Sequence, residues 1–318
     1  MRTFLDFERP IAELEGKIEE LRHLSDSGEI NIVDEVSKLE KEADRLLRAA
    51  YGSLDAWQTV QVARHPDRPH CAHYIERLID SFTPLAGDRS FGDDKAILGG
   101  LGRFRGYACV VLGTEKGAET QARVHHNFGM ARPEGYRKAQ RLMKLAERFR
   151  LPVLTFVDTT GAYPGVGAEE RGQAEAIARS IETCLSLNTP IVSVIIGEGG
   201  SGGAVALAAA NTVLMLEYGI YSVIAPEACS SILWRSTDEA QTAAQALRLT
   251  ARDILELGVI DEIVPEPVGG AHRDPEQTID AVGDAMQKAL AALMGRDGAW
   301  LRMHRAEKFL AIGRAGTV

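Results

Sequence analysis

Between residues 10 and 50, apolar side chains return every three or four positions. The set is Ile11, Leu14, Ile18, Leu21 and Leu24, then Ile32, Val36, Leu39, Ala43 and Leu46, with charged residues filling the gaps. That period places the apolar residues on one stripe of an α-helix. The polar stretch SDSGE (Ser25–Glu29) interrupts the run, so the segment predicts a helical hairpin with an apolar seam. A seam does not name its partner. It can close on the rest of the chain or on a second chain.

The pattern changes further along. Residues 57–97 are mixed and punctuated by Pro66, Pro69 and Pro84. "AILGGLGRFRGYACVVLG" is two apolar runs joined through "RFRG", which predicts a β-hairpin. "RPEGYRKAQRLMKLAERFR" then sets Ala139, Leu142, Met143, Ala146 and Phe149 on one helical face. Arg137, Lys138, Arg141, Lys144 and Arg148 cover the rest, either as a solvated face or as a grip for coenzyme phosphates. From residue 151, strands and helices alternate. "LPVLTFVD", a glycine-rich turn "TTGAYPGVGAEE", a helix, "PIVSVII", the turn "GEGGSGG", a short helix "AVALAAA", and the strands "TVLMLE" and "YSVI" follow one another. Such alternation predicts an α/β fold with parallel pairing and right-handed crossovers. Three helical stretches, a short strand "IDEIVPEP", an amphipathic helix around "IDAVGDAMQKALAALM" and a frayed tail "GRAGTV" complete the chain. We divide it into a hairpin (1–50), a main domain (51–295) and a helical tail (296–318).

Composition narrows the class. A chain of 318 residues, 45% hydrophobic and 25% charged, has the make-up of a globular protein with a sizeable core. A net charge of −9 argues against nucleic acid or an anionic membrane as the partner. No apolar run reaches the roughly 18 residues of a membrane span, and the charged N-terminus lacks a signal-peptide core. A cytoplasmic location is expected. Cys71, Cys109, Cys184 and Cys229 are widely spaced, which predicts single buried thiols rather than a disulfide framework or a zinc ribbon. His65, His70 and His73 are close in sequence but share no helical i, i+4 step, so they are expected to be partly exposed polar residues and no metal site is expected.

The turn "GEGGSGG" admits three chemical readings. Gly197, Gly199 and Gly202 spell a dinucleotide fingerprint, with Glu217 where a ribose-binding acid belongs. Gly199, Ser201 and Gly203 spell a nucleophile elbow, with Asp261 or Glu262 and His272 in hydrolase order. In the third, the N–H groups of Gly202 and Gly203 at a helix start form an oxyanion hole that needs no side chain. A fourth, purely structural reading gives the glycines to close helix–strand packing. Two glycine loops at the same edge of a parallel sheet, with few titratable side chains, favour the oxyanion reading and chemistry through an enolate-like anion.

The blocks "NFGMARPEGYRKAQRLMKLAERF", "FVDTTGAYPGVGAEERGQAEAIA", "IIGEGGSGGA", "YSVIAPEACSSILW" and "IVPEPVGGAHRDP" resemble the alpha subunits of bacterial acetyl-coenzyme A carboxylase carboxyl transferases, in the same order from the hairpin to about residue 295. The resemblance implies a crotonase-like fold of stacked β–β–α units. It implies carboxyl transfer from carboxybiotin on a biotin carboxyl carrier protein to acetyl-coenzyme A, giving malonyl-coenzyme A for fatty acid synthesis. It further implies an α2β2 assembly with a beta chain, biotin carboxylase in the full complex, and no metal in this chain. By the same resemblance Gly202 and Gly203 hold the biotin oxygen, while Gly161, Ala162, Tyr163 and Gly165 line the biotin pocket. Thr160, Thr114 and Glu115 depart from the family pattern, where Pro, His and Gln are expected. A carboxyltransferase for another acyl-coenzyme A, or a non-catalytic scaffold for the beta chain, are the alternatives.

Overall fold

The computed structural model describes residues 3–24 and 31–314 of the chain. The hairpin is α1 (Arg9–Leu24) and α2 (Asn31–Tyr51). Its expected break at Ser25–Glu29 lies outside the described residues, as do the last four residues of the tail. Ile11, Ile18, Ala43 and Leu47 are buried along the seam. At the root of the hairpin, Ile11, Leu47 and Tyr51 pack with Val62 and Tyr218 of the main body, so this end closes on its own chain. Charge fixes the same joint. Glu8 is fully buried, accepts the Tyr51 hydroxyl at 3.1 Å and pairs with Arg273, which also reaches Glu15 at 2.6 Å.

The main body continues through α3 (Ala56–Ala63), α4 (Cys71–Leu78), β1 (Ile79–Pro84), β2 (Ile97–Phe104) and β3 (Tyr107–Thr114). After α5 (Thr120–His125) and α6 (Pro133–Phe149) come β4 (Val153–Thr159), α7 (Val166–Glu170), α8 (Gln173–Ser186), β5 (Ile191–Gly200) and α9 (Ser201–Ala208). Then follow β6 (Thr212–Leu216), β7 (Ile220–Ser222), α10 (Pro226–Trp234), α11 (Ala240–Ala246) and α12 (Ala251–Glu256). The chain ends with β8 (Glu262–Val264), α13 (Pro275–Leu293) and α14 (Gly298–Ala311). The strands form one sheet in the order β1-β2-β3-β4-β5-β6-β8, with β7 paired to the end of β5. β1, β2 and β3 are antiparallel; every pairing from β3 onward is parallel. In the β2–β3 hairpin, Phe104 faces Tyr107, and both turn residues lie at positive φ (Arg105 46°, Gly106 88°), the two-residue turn that follows strand twist.

The central strands read as unbroken apolar runs because both faces are covered. Val153 and Val157 of β4, Ile191 and Ile195 of β5, and Val213 and Met215 of β6 point toward α6, α8 and α9. Leu154, Phe156, Val192, Val194, Leu214 and Leu216 point to the other side, toward α4, α13 and α14. Complete burial of each such side chain contributes on the order of 1.5–3 kcal/mol, so this two-sided core dominates the stability of the sheet.

Three expectations need correction. Ala139, Leu142, Met143 and Ala146 of α6 are fully buried, but Phe149 is 61% exposed at the helix end, where the sheet no longer covers it. The basic face of that helix is not simply solvated. Lys138 is buried and paired with Asp93, Arg141 donates to the carbonyls of Leu85, Ala86 and Gly87, and Arg137 donates to the Arg171 carbonyl. His65 and His70 are buried rather than partly exposed. The ring of His65 is held by the Thr3 carbonyl and the Asp67 N–H, and it stacks on His272 at 3.7 Å.

Candidate active site at two glycine turns

The second glycine turn begins later than its sequence suggests. β5 runs on to Gly200, so Gly197, Gly199 and Gly200 are strand residues. They are small because neighbours crowd them: a Cβ on Gly197 would lie 2.7 Å from the Asp158 carboxylate, one on Gly199 2.8 Å from the Tyr221 ring, and one on Gly200 2.2 Å from the Thr160 carbonyl. The packing reading therefore accounts for these three.

Gly202 and Gly203 are different. α9 has Gly200 as its N-cap, and no side chain caps it. An N-cap oxygen ordinarily takes the N–H of the second or third helical residue. Here those residues are Gly202 and Gly203, half-buried and buried, so the two N–H groups at the positive end of the helix have no capping oxygen.

The first glycine turn meets the second directly. A Cβ on Gly203 would fall 2.7 Å from the Gly161 carbonyl carbon and 2.9 Å from the Ala162 nitrogen. Gly161 adopts φ +146°, and Thr159 Oγ1 accepts its N–H at 3.1 Å. Tyr163 donates its N–H to Ala131, and Gln173 donates to its carbonyl; the Arg132 guanidinium lies 4.9 Å over its ring. Gly165 packs so tightly on that ring that a Cβ would sit 2.3 Å from it. Gly161, Ala162 and Gly203 are thus in contact, with Tyr163 and Gly165 following on the same loop. Thr160, where the family pattern has Pro, is exposed at the turn. The other two departures have internal work: Thr114 Oγ1 accepts the Asp158 N–H, and the Glu115 carboxylate accepts the N–H groups of Ala72 and Gly117.

The rival readings lose their partners. A dinucleotide fingerprint needs its first glycine in the turn, yet Gly197 lies inside a strand, and Glu217 accepts the Glu266 N–H. Ser201 does have the strained backbone of an elbow, φ 51°. However, Asp261 is taken by the Val213 N–H and Lys308, Glu262 by Lys288, and His272 lies stacked on His65 beside Glu8. Glu8, His65 and His272 bring potential ligand atoms within 4.8 Å of one another, a group the spacing of His65, His70 and His73 did not suggest. Both ring nitrogens of His65 and the Glu8 carboxylate are already engaged, a poor fit to a metal. Cys71, Cys109 and Cys184 are buried as expected, whereas Cys229 on α10 is only half-buried; burial pushes the Cys109 and Cys184 thiols up to about 12.

Beneath the two turns lies a buried charge cluster that hydrophobic patterning did not reveal. Lys116 Nζ sits 2.7 Å from Asp158 Oδ1 and 3.5 Å from Glu198 Oε2. Arg64 pairs with Glu198 and with Glu227, both at 2.6 Å, and His70 Nδ1 lies 3.7 Å from Asp158 Oδ2. Burial alone would raise the Asp158 carboxyl, but Lys116, His70 and the Glu198 N–H outweigh it and hold it well below the carboxylate range. Burial pulls the other way on Lys116, where Asp158 and Glu198 win and raise it. The available signal was a carboxylate directly after each of two apolar runs, in "FVD" and "IIGE".

Known proteins resemble this chain along nearly its whole length. The family described as "Acetyl co-enzyme A carboxylase carboxyltransferase-like" matches residues 4–313. The "Acetyl-coenzyme A carboxylase carboxyl transferase subunit alpha" of Rhodospirillum centenum is 67% identical over 98% of this chain and 99% of that protein. The subunit of that name from Paramagnetospirillum magneticum is 64% identical over 98% of each. Among solved structures, the beta subunit of geranyl-CoA carboxylase from P. aeruginosa superposes with a TM-score of 0.56 at 18% identity, over 76% of this chain and 46% of that one. A Pseudomonas malonate decarboxylase hetero-tetramer in complex with coenzyme A superposes with a TM-score of 0.55 at 17% identity, over 70% of this chain and 89% of that one. At such identities the likeness is one of fold, the crotonase-like α/β fold expected from the blocks above.

Proposed function

This chain belongs to the family of acetyl-coenzyme A carboxylase carboxyl transferase alpha subunits, and we propose that its two glycine turns form the half-site that handles carboxybiotin. The chain is a subunit of a biotin-dependent carboxyltransferase, with a beta subunit as partner. The finer reading is carboxyl transfer from carboxybiotin on a carrier protein to acetyl-coenzyme A, giving malonyl-coenzyme A in the cytoplasm. The enzyme works as an α2β2 assembly that meets biotin carboxylase in the full complex. Among the described residues no helix is long and apolar enough to cross a membrane.

One observation carries this reading: the uncapped start of α9 offers the N–H groups of Gly202 and Gly203, with Gly161 and Ala162 in contact beside them. Carboxybiotin supplies the transferable carboxyl group and, once relieved of it, a nitrogen base for the acyl α-carbon. The work of this chain is electrostatic. Gly202 and Gly203 donate to an oxygen that gains negative charge as the carboxyl group leaves, and the helix dipole favours that charge. Glycine keeps side-chain atoms out of the approach. The loop through Ala162, Tyr163 and Gly165 walls the site.

The partner completes the site in this reading. Gly199 and Gly200 share a small cleft with Ser222, Ile224, Ala225 and Pro226 at the start of α10. The far end of that helix leaves Ile232, Leu233 and Trp234 exposed, an apolar surface suited to a second chain. The test is transfer from malonyl-coenzyme A to a free biotin derivative, assayed with this chain alone and with a beta chain added. Transfer in the mixture alone is expected; no transfer in either tube would overturn the proposal.

A further inference from the structure

β4 and β5 lose register where the two turns begin. Val157 faces Ile195, yet Thr159 faces Gly199, so the β5 segment Ile196–Glu198 bulges opposite Asp158. A bulge frees backbone groups that need other partners. Side chains take them: Glu198 donates its N–H to Asp158 Oδ1 at 2.9 Å, and the Ile196 carbonyl accepts from Arg68 at 3.1 Å. Asp158 is in turn held by Lys116 at 2.7 Å, and Glu198 by Arg64 at 2.6 Å. The side chains of Asp158 and Glu198 are 7% and 4% exposed and those of Lys116 and Arg64 16% and 27%, so the carboxylates are buried and their cations border the cavity that all four line.

We propose that Lys116, Asp158 and Glu198 form a brace across this bulge that sets the spacing between the two glycine turns, which makes them positioning residues for carboxyl transfer. The inference rests on the half-site reading above and adds what holds its two parts in place. Asp158 lies three residues before Gly161, and Glu198 four before Gly202. A shift at the bulge therefore passes within one turn of chain to the contact of Gly203 with Gly161. The charges also matter by sign. Lys116 and Arg64 offset the two buried carboxylates, Asp158 and Glu198, while the third carboxylate on Arg64, Glu227, is 39% exposed and reaches water. Removing Lys116 would both loosen the bulge and leave the Asp158 carboxylate behind.

The experiment compares Lys116→Met, Lys116→Arg, Asp158→Asn and Lys116→Met/Asp158→Asn in the assembled complex with its beta chain. A misplacement near 1 Å costs roughly 100-fold in rate, so Lys116→Met should lower kcat by about that factor and leave KM for the coenzyme A thioester unchanged. Lys116→Arg should recover most of the loss. The double variant should exceed Lys116→Met alone, because it removes the stranded charge. Hydrogen–deuterium exchange of peptides 157–166 and 197–206 reads the brace without turnover: faster in Lys116→Met, restored in Lys116→Arg. If Lys116→Met does not fold, Asp158→Asn carries the same two readouts. Unchanged kcat with unchanged exchange in both turns would overturn the brace. A parent complex that performs no transfer would instead overturn the function, and exchange would still decide the brace.

Discussion

Gly203 rests on the Gly161–Ala162 peptide so closely that a methyl group at Gly203 would come within 2.7 Å of the Gly161 carbonyl carbon, a contact between two backbones with no flexible side chain to yield. The same methyl at Gly202 would meet the Ile177 side chain, at 3.3 Å from Cγ2 and 3.8 Å from Cδ1.

The two glycines should therefore part company on substitution. Gly202→Ala keeps its N–H and needs a small shift of Ile177, so carboxyl transfer by the complex should fall about tenfold or less. Gly203→Ala must push the turns apart, and Gly203→Pro deletes the N–H itself. Gly203→Ala should lose roughly 100-fold through that displacement, and Gly203→Pro roughly 100- to 1,000-fold, the usual cost of one oxyanion donor. Parental turnover in Gly203→Pro would show that the N–H at that position is not used.

Ser201 has the strained φ of a nucleophile, 51°, without the assembled partners of one. Ser201→Ala should keep transfer within a few-fold of the parent, and a fluorophosphonate probe should leave the chain unlabelled. Ser201→Gly, which relieves a left-handed conformation costing about 1–2 kcal/mol, should be tolerated as well. Complete loss of activity in Ser201→Ala, or covalent labelling at Ser201, would restore the hydrolase reading.

What the sequence disclosed, and what it hid, follows from the range of each interaction. The hairpin, the turn at Arg105 and the strand–helix alternation were legible because they depend on periodicity and local turn chemistry. The end of β5 was not, because Gly197, Gly199 and Gly200 look like a turn until Asp158, Tyr221 and Thr160 are brought beside them. Lys138 and Arg141 read as a solvated basic face, since the segment 85–94 that receives them lies more than 40 residues away in sequence. The brace stayed hidden for the same reason: Lys116, Asp158 and Glu198 share no spacing, and only the sheet makes them neighbours. The placing of Gly202 and Gly203 at a helix start was legible, because a strand, a glycine turn and a short apolar run mark it locally.

The joint between hairpin and main body depends on Arg273, which pairs with the fully buried Glu8 and with Glu15. Arg273→Met would strand the Glu8 carboxylate away from water, a loss of about 3–5 kcal/mol. Thermal unfolding should show a clear drop in Tm, with limited proteolysis entering first between residues 3 and 50. Glu8→Gln in the same chain should return part of the loss, because the stranded charge is gone. A single variant as stable as the parent would mean that the apolar root at Ile11, Leu47 and Tyr51 holds the hairpin unaided.

Asp158 gives the brace a signature in pH. Its folded-state pKa is lowered, so the unfolded chain binds its proton more readily than the native one. The stabilising contribution is therefore complete above the ordinary Asp value near 3.9 and is lost as pH falls below it toward the lower folded value. Carboxylates remote from Asp158 titrate over the same range, but they are common to the parent and to Asp158→Asn and cancel in the difference. Glu198 and His70 face Asp158, so both chains are compared in a His70→Gln, Glu198→Gln background as well. Urea unfolding of both chains at pH 7, 5, 4 and 3 should show a stability gap that is constant down to about pH 5 and narrows below pH 4. Lys116 stays charged throughout, so the narrowing belongs to Asp158. A gap that held its size down to pH 3 would mean that Lys116 does not hold this carboxylate, and the pair would then lose its place in the brace.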